Sequence, residues 1–278
     1  MTLAQRTATS PLQVTRVVRF TFQVIRRNLL RFLGLSAIVT APAVLFTPWE
    51  AAYPNANLWD LPLALPLAVE IVAATLLTAI ITRMIVPDSA GHYHPLAKSI
   101  QPVINDFAAL AMIGLFSNVV ILLNIFAPIL VRDYFPDPYI DQVTTVVLVL
   151  GITALVLLGL FLTVLLAMLI PVRTIEQTDF VRTFVRGAEL TRGNRWPIFG
   201  LTIAMIVLAG VGEGAVYIIV GDPLAEGAPS NGAASILGRA LVATAVSVTA
   251  ATGTAVLYCE LRRIKDGPAP RELALEFD

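Results

Sequence analysis

Six apolar stretches, at about 28–49, 61–86, 104–131, 142–172, 194–220 and 233–260, leave this chain few folds to choose from. A helix needs about 20 mainly apolar residues to cross a hydrocarbon core of roughly 30 Å, and every stretch reaches that length. A helix buried in a water-soluble core would not run so far with so few charges. Composition agrees: 57% of the 278 residues are hydrophobic and 14% charged, against roughly 25% charged in a soluble domain. The sequence predicts an all-α integral membrane protein with six transmembrane helices.

The charges set its direction. Arg6, Arg16, Arg19, Arg26, Arg27 and Arg31 precede or open the first stretch, and only Glu50 and Asp60 follow it. Arg83 and Lys98 fall in the second gap, Arg132 in the third, and Arg173, Arg182, Arg186, Arg192 and Arg195 in the fourth. The fifth gap holds Asp222 and Glu226, and Arg262, Arg263, Lys265 and Arg271 follow the last stretch. Of the nineteen Lys and Arg residues, Arg132 is on one side, Arg239 is inside a stretch, and the other seventeen share the opposite side. By the positive-inside rule that side is the cytoplasm, which predicts a multi-pass protein of the bacterial cytoplasmic (inner) membrane with both termini inside. The first apolar run starts near residue 29, after a long basic segment, so an uncleaved first span is expected rather than a signal peptide. The single cysteine, Cys259, excludes an intramolecular disulfide and reads as a packing residue.

Residues 11–265 read as one membrane domain between a flexible N-terminus at 1–10 and a polar cytoplasmic tail at 266–278. Outer gaps, from Trp49 to Asp60, Asp133 to Asp141 and Gly221 to Asn231, are Pro-rich and acidic or polar, as in reversals between antiparallel helices. The inner gaps are different. Arg16, Arg19, Gln23 and Arg26 recur at helical spacing with Val14, Val18, Ile25 and Leu29 opposite, which predicts an amphipathic helix. From Thr178 the pattern returns, with Phe180, Val181, Phe184, Val185 and Ala188 on one face and Arg182, Arg186 and Glu189 on the other. Such helices suit the headgroup plane. Asn28 leads into Leu33-Gly34-Leu35-Ser36 as Asn194 leads into Phe199-Gly200-Leu201-Thr202, and Thr82-Arg83, Val172-Arg173 and Leu261-Arg262 close the even-numbered spans. With Pro95 to Asp106 as a shorter middle copy, the chain reads as three repeats of an interfacial helix plus a transmembrane hairpin, parallel in topology. Generic basic flanks would produce much of the same pattern.

Charges inside spans are the first place to look for function, since each costs roughly 2.5 to 3.5 kcal/mol at a helix centre. Glu70, Glu213 and Arg239 qualify, all in the outer half of the membrane, with Asn118 and Asn124 adding polar groups. Glu213 and Arg239 sit on consecutive spans and can pair, either to fasten two helices or to serve transport. Glu70 could join them, stay protonated or line a cavity. Small residues at Gly210 and Gly214, and from Ala240 to Ala255, predict close helix packing. No phosphate-binding Gly loop or nucleophile elbow is present, and His92 and His94 near Asp88 make a weak metal signal. The basic clusters beside the membrane point to anionic lipid headgroups rather than nucleic acid. Interfacial contacts are expected from Arg16, Arg19, Arg26, Arg27, Arg182, Arg186, Arg192, Arg195 and Trp196.

The segment Ala188-Glu189-Leu190-Thr191-Arg192-Gly193-Asn194-Arg195-Trp196, followed directly by a span, resembles the membrane domain attached to some bacterial glycerophosphodiester phosphodiesterases and found in stand-alone proteins. The closing Ala255-Val256-Leu257-Tyr258-Cys259-Glu260-Leu261-Arg262, then a charged segment and Gly267, is similar to that family's last span. The resemblance implies a six-span layout; with no catalytic domain here, it implies no hydrolase activity. The expected function is a non-enzymatic lipid-interacting or scaffold module without cofactor, with a protein partner in the membrane as a further expectation. The alternative is a small transporter or permease using Glu70, Glu213 and Arg239.

Overall fold

The computed structural model describes residues 12–52, 61–89, 96–118, 169–220 and 232–267, with scattered positions between 147 and 168. Among these residues the regular structure is helical, with no strand. The helices are α1 (Val14–Ala52), α2 (Leu61–Ser89), α3 (Leu96–Asn105), α4 (Phe107–Asn118), α5 (Leu169–Glu176), α6 (Phe180–Thr191), α7 (Arg195–Val220) and α8 (Gly232–Asp266). Lipid explains the choice, because a helix satisfies its own backbone N–H and C=O groups where no water can.

Three segments, Leu67–Val86, Arg195–Val216 and Ala240–Asp266, are long and apolar enough to cross a membrane. A fourth arises if α3 and α4, bent by 75°, are taken as one broken span. Leu30, Ile38, Ile206, Val207, Val211, Ile218, Ile219 and Leu241 are all exposed, an apolar surface that water does not tolerate at this extent. The chain is a membrane protein.

Each amphipathic lead-in meets its long helix at a break. α1 is helical through Asn28 except at that residue (φ −118°, ψ 20°), where Asn28 Nδ2 donates to the Val24 carbonyl at 3.3 Å. The apolar stretch expected to run unbroken from 104 instead turns at Asp106. Pro102 lies one turn upstream, yet the hydrogen bonds continue, from Asp106 N to Pro102 O at 3.2 Å and from Leu110 N to Asp106 O at 3.0 Å, while the axis swings. After α6 the chain passes Gly193 at φ +88°, a conformation glycine adopts without Cβ strain, and α7 begins. Helix ends also differ from the expected bounds. α5 carries past Val172 to Glu176, and α8 continues past Glu260 to Asp266, where Gly267 at φ +83° stops it.

α8 is the centre of the packing, with α1, α2 and α7 against it; α2 also meets α1, α3 and α5, and α6 bridges α5 and α8. Small residues make that position possible: Ala251, Thr252 and Ala255 are buried, and a Cβ on Gly253 would touch Thr21 Cγ2 at 3.9 Å. α1 offers α8 and α2 the stripe Val17, Thr21, Val24, Phe32 and Leu35, at helical spacing. Of the stripe expected to be its apolar face, Val14, Val18 and Leu29 are exposed while Ile25 is half-buried against the core, so α1 has one side for protein, one for lipid and one for arginines. α7 packs antiparallel on α8, with Gly212 facing Val242 and Gly238 facing Val216.

Among the described glycines the tightest seat is between α4 and α2. A Cβ on Gly114 would fall 2.0 Å from Thr75 Oγ1 and 2.9 Å from Thr75 Cβ, and Thr75 is buried with its hydroxyl bonded to the Ile71 carbonyl. Gly114→Ala is expected to destabilise the protein by about 1–3 kcal/mol, the usual cost of overpacking. Thermal unfolding in detergent measures it, and adding Thr75→Ala should recover part of the loss.

Candidate functional site

Of the intramembrane residues singled out from sequence, side chains are described for Glu70 and Asn118. Glu70 is on an exposed side of α2. Asn118 Nδ2 donates to the Gly114 carbonyl of its own helix at 2.9 Å, and Asn124 lies outside the described residues, as do His92 and His94. Positions 213 and 239 each follow by one residue a glycine of the antiparallel α7/α8 seam, which sets both on the same flank of that seam; their side chains lie outside the described residues.

Polar chemistry concentrates instead at the basic ends of the helices, around the corner between α5 and α6. The corner follows from sequence: α5 ends at Gln177 in the left-handed region (φ 48°), with its N–H donating to the Arg173 carbonyl, and Asp179 starts α6. Two charged groups grow from this corner.

The first joins α2, the α3–α4 bend and α5. Arg173 makes a fork to Asp106, Nε to Oδ2 at 2.7 Å and Nη2 to Oδ1 at 2.5 Å, and its Nη1 donates to the Thr178 carbonyl. The side chains are 19% and 31% exposed, so solvent screens this pair far less than a surface one. The hydrogen bond to Asp106, offset in part by burial, holds the Arg173 guanidinium above its ordinary pKa. Arg83, one turn from the end of the α2 span, donates Nη2 to the Thr174 carbonyl at 2.8 Å. A cavity of about 350 Å³ opens between these groups, lined by Arg83, Asn105, Asp106, Arg173, Thr174 and Gln177 with apolar walls.

The second joins α5, α6 and α8. Glu176 Oε1 accepts from the hydroxyl of Tyr258 at 3.0 Å, and its carboxylate takes Arg186 Nε at 3.2 Å. Arg186 also pairs with Asp266 at the end of α8. Burial pulls the Arg186 guanidinium down, and the hydrogen bond to Asp266 with the charges of Glu176 and Asp266 more than offsets it, so its pKa is raised. Tyr258 is 0% exposed, the largest fully buried side chain. Arg16 of α1 lies 3.7 Å from Glu260 of α8, extending the links to the first helix.

The residues expected at the lipid interface divide. Arg16, Arg19, Arg26, Arg27, Arg182 and Arg192 are exposed. Trp196 is 83% exposed and edge-on to Phe199 at 6.0 Å, and the Arg195 guanidinium stands 5.4 Å over the Phe161 ring. Arg186 differs, being held by Glu176, Glu189 and Asp266 rather than presented outward. On α6 the exposed apolar residues are Phe180, Val181 and Val185, and the face turned to protein is Thr183, Gly187 and Leu190.

The sequence reading assigned no pairing role to Asp106, Glu176, Tyr258 or Asp266. Glu176 and Asp266 stand near arginines in their gaps and Asp106 just inside the stretch 104–131, and an acid at such a place was the available signal.

A family model for DUF7847, a domain of unknown function, matches residues 98–261, more than half of the chain. The chain belongs to this family. The DUF7847 segment starts in α3 and ends in α8, and so contains Asp106, Arg173, Glu176, Arg186 and Tyr258, while Arg83 and Asp266 lie outside it. No curated protein and no solved structure matches the chain.

Two outcomes test these links. Asp106→Asn removes the charge from Arg173's fork and is expected to cost about 1.5–3 kcal/mol, as for hydrogen bonds to charged groups. Tyr258→Phe removes one bond to a charged group and keeps Glu176 paired with Arg186, so it should cost less, about 1.5 kcal/mol. Denaturation of the purified protein in mixed micelles ranks the two.

Proposed function

We propose that this chain is a non-enzymatic, lipid-interacting scaffold module of the bacterial cytoplasmic membrane, crossing it six times with both termini inside. The observation that carries this reading is that α1 and α6 present arginines and lipid-facing apolar side chains from the same helices: Arg19 and Arg26 beside Phe22 and Leu29, and Arg182 beside Val181 and Val185. Each basic residue near an anionic leaflet contributes about 1 kcal/mol of attraction, and the apolar side chains hold the helix at the acyl boundary. Trp196 fits the same level, where aromatic rings collect at membrane interfaces. Under this reading the three breaks, at Asn28, Asp106 and Gly193, are the points where interfacial helices turn into the bilayer. The likeness to the phosphodiesterase-attached membrane domain is then one of layout.

Reconstitution into bilayers of mixed zwitterionic and anionic phospholipid tests the lipid reading. The lipid that stays with the extracted protein should be enriched in the anionic species, and replacing Arg19, Arg26 and Arg182 together by Gln should bring it close to the bulk ratio. An unchanged ratio sinks the proposal. Topology is tested separately: reporter fusions after Asp60 and after Asp222 should read periplasmic, and a cytoplasmic reading at either overturns six spans.

A further inference from the structure

We propose that the cavity at the α3–α4 bend is a binding site for a single phosphate group. The charge balance comes first. Asp106 gives both of its oxygens to Arg173, whereas Arg83 gives Nη2 to a neutral carbonyl. Two guanidiniums and one carboxylate line the cavity, so its lining carries one net positive charge, with Asp179 acting on Arg173 from outside the lining.

Donors are waiting there. Arg83 Nε is buried without a hydrogen-bond partner, and so is the hydroxyl of Thr174, a residue 3% exposed that lines the cavity. Leaving such groups unmet costs about as much as a lost hydrogen bond, and both belong to residues of the cavity wall. Asn105 and Gln177 add amides at the wall, Gln177 from the left-handed backbone that ends α5. Donors on four separate residues fit an anion with several oxygens better than a planar carboxylate, and the two arginines exclude a cation. The volume, about 350 Å³, is at the small end of ligand cavities, which run from roughly 300 Å³.

The phosphate could be the headgroup of an anionic phospholipid or a free phosphate or its ester. Arg83 is close to the end of the α2 span at Val86, the level at which headgroup phosphates lie. Either source differs from attraction to the exposed arginines in being saturable at one per chain.

The full-length protein tests this in two arms: inorganic phosphate added in nonionic detergent, and nanodiscs of phosphatidylcholine with or without phosphatidylglycerol, read by native mass spectrometry. One retained phosphate or one retained phosphatidylglycerol per chain is expected, and the arm that gives it names the source. Arg83→Gln should weaken retention at least tenfold. Thr174→Val should weaken it severalfold while leaving the unliganded protein as stable as before or more so, because its hydroxyl has no protein partner. Arg182→Gln should leave it unchanged, so a surface enrichment that survives the arginine replacements while retention stays intact would sink the surface reading alone. Wild-type protein that retains neither species overturns the proposal, as does Thr174→Val with wild-type affinity in both arms.

Discussion

Charged side chains at the ends of membrane helices must be hydrated, or paired, before those ends can pack, and the rest of this structure depends on how that is met. Glu176 is the pivot. It takes the hydroxyl of the buried Tyr258 from α8 and the guanidinium of Arg186 from α6, and Arg186 reaches on to Asp266. Three helices are thereby tied at one level. Lipid tails are as apolar as leucine, so helices in a bilayer gain little from hydrophobic contact with each other and rely on close packing and polar links. The seats for α8, Gly253 over Thr21 and the small residues from Ala251 to Ala255, supply the packing. The corner between α5 and α6 supplies the links.

The same corner positions the cavity. Arg173 leaves α5 one turn before Gln177, and its fork to Asp106 pins the bend between α3 and α4 to α5. Arg83 of α2 then reaches the carbonyl of Thr174. An acid at the bend and an arginine at the corner hold open a polar space that straight, continuous helices would have closed. Structure and candidate site therefore rest on one set of contacts, and the residues that shape the cavity are those that join α2, α3 and α5.

Several features were legible in the residues themselves. The lead-in helices at α1 and α6 follow from alternating arginine and apolar positions, and Asn28 and Asn194 mark two of the breaks. Even these two asparagines are used differently. Asn28 bonds back to its own helix, while Asn194 accepts the Leu12 N–H at 3.0 Å and so anchors the start of α1 beside α7. Periodicity shows that a helix has an apolar face but not what covers it: Val14, Val18 and Leu29 look as buried as Val17 and Val24, yet only the latter meet protein. Membrane composition removes the usual cue, because lipid and protein interior are equally apolar.

Length, hydropathy and charge determined by themselves that this is a helical membrane protein, and where its basic ends lie. Those properties are local, read within one stretch at a time. Which charges meet was decided by tertiary structure alone, since the decisive contacts join residues 67, 82 and 91 positions apart, Arg173 with Asp106, Tyr258 with Glu176 and Arg83 with Thr174. A sequence count treats Arg173 and Arg186 as two more cations on the inner face. The fold withdraws both from the surface, because near the membrane a guanidinium is held best where a carboxylate from another helix can be brought to it.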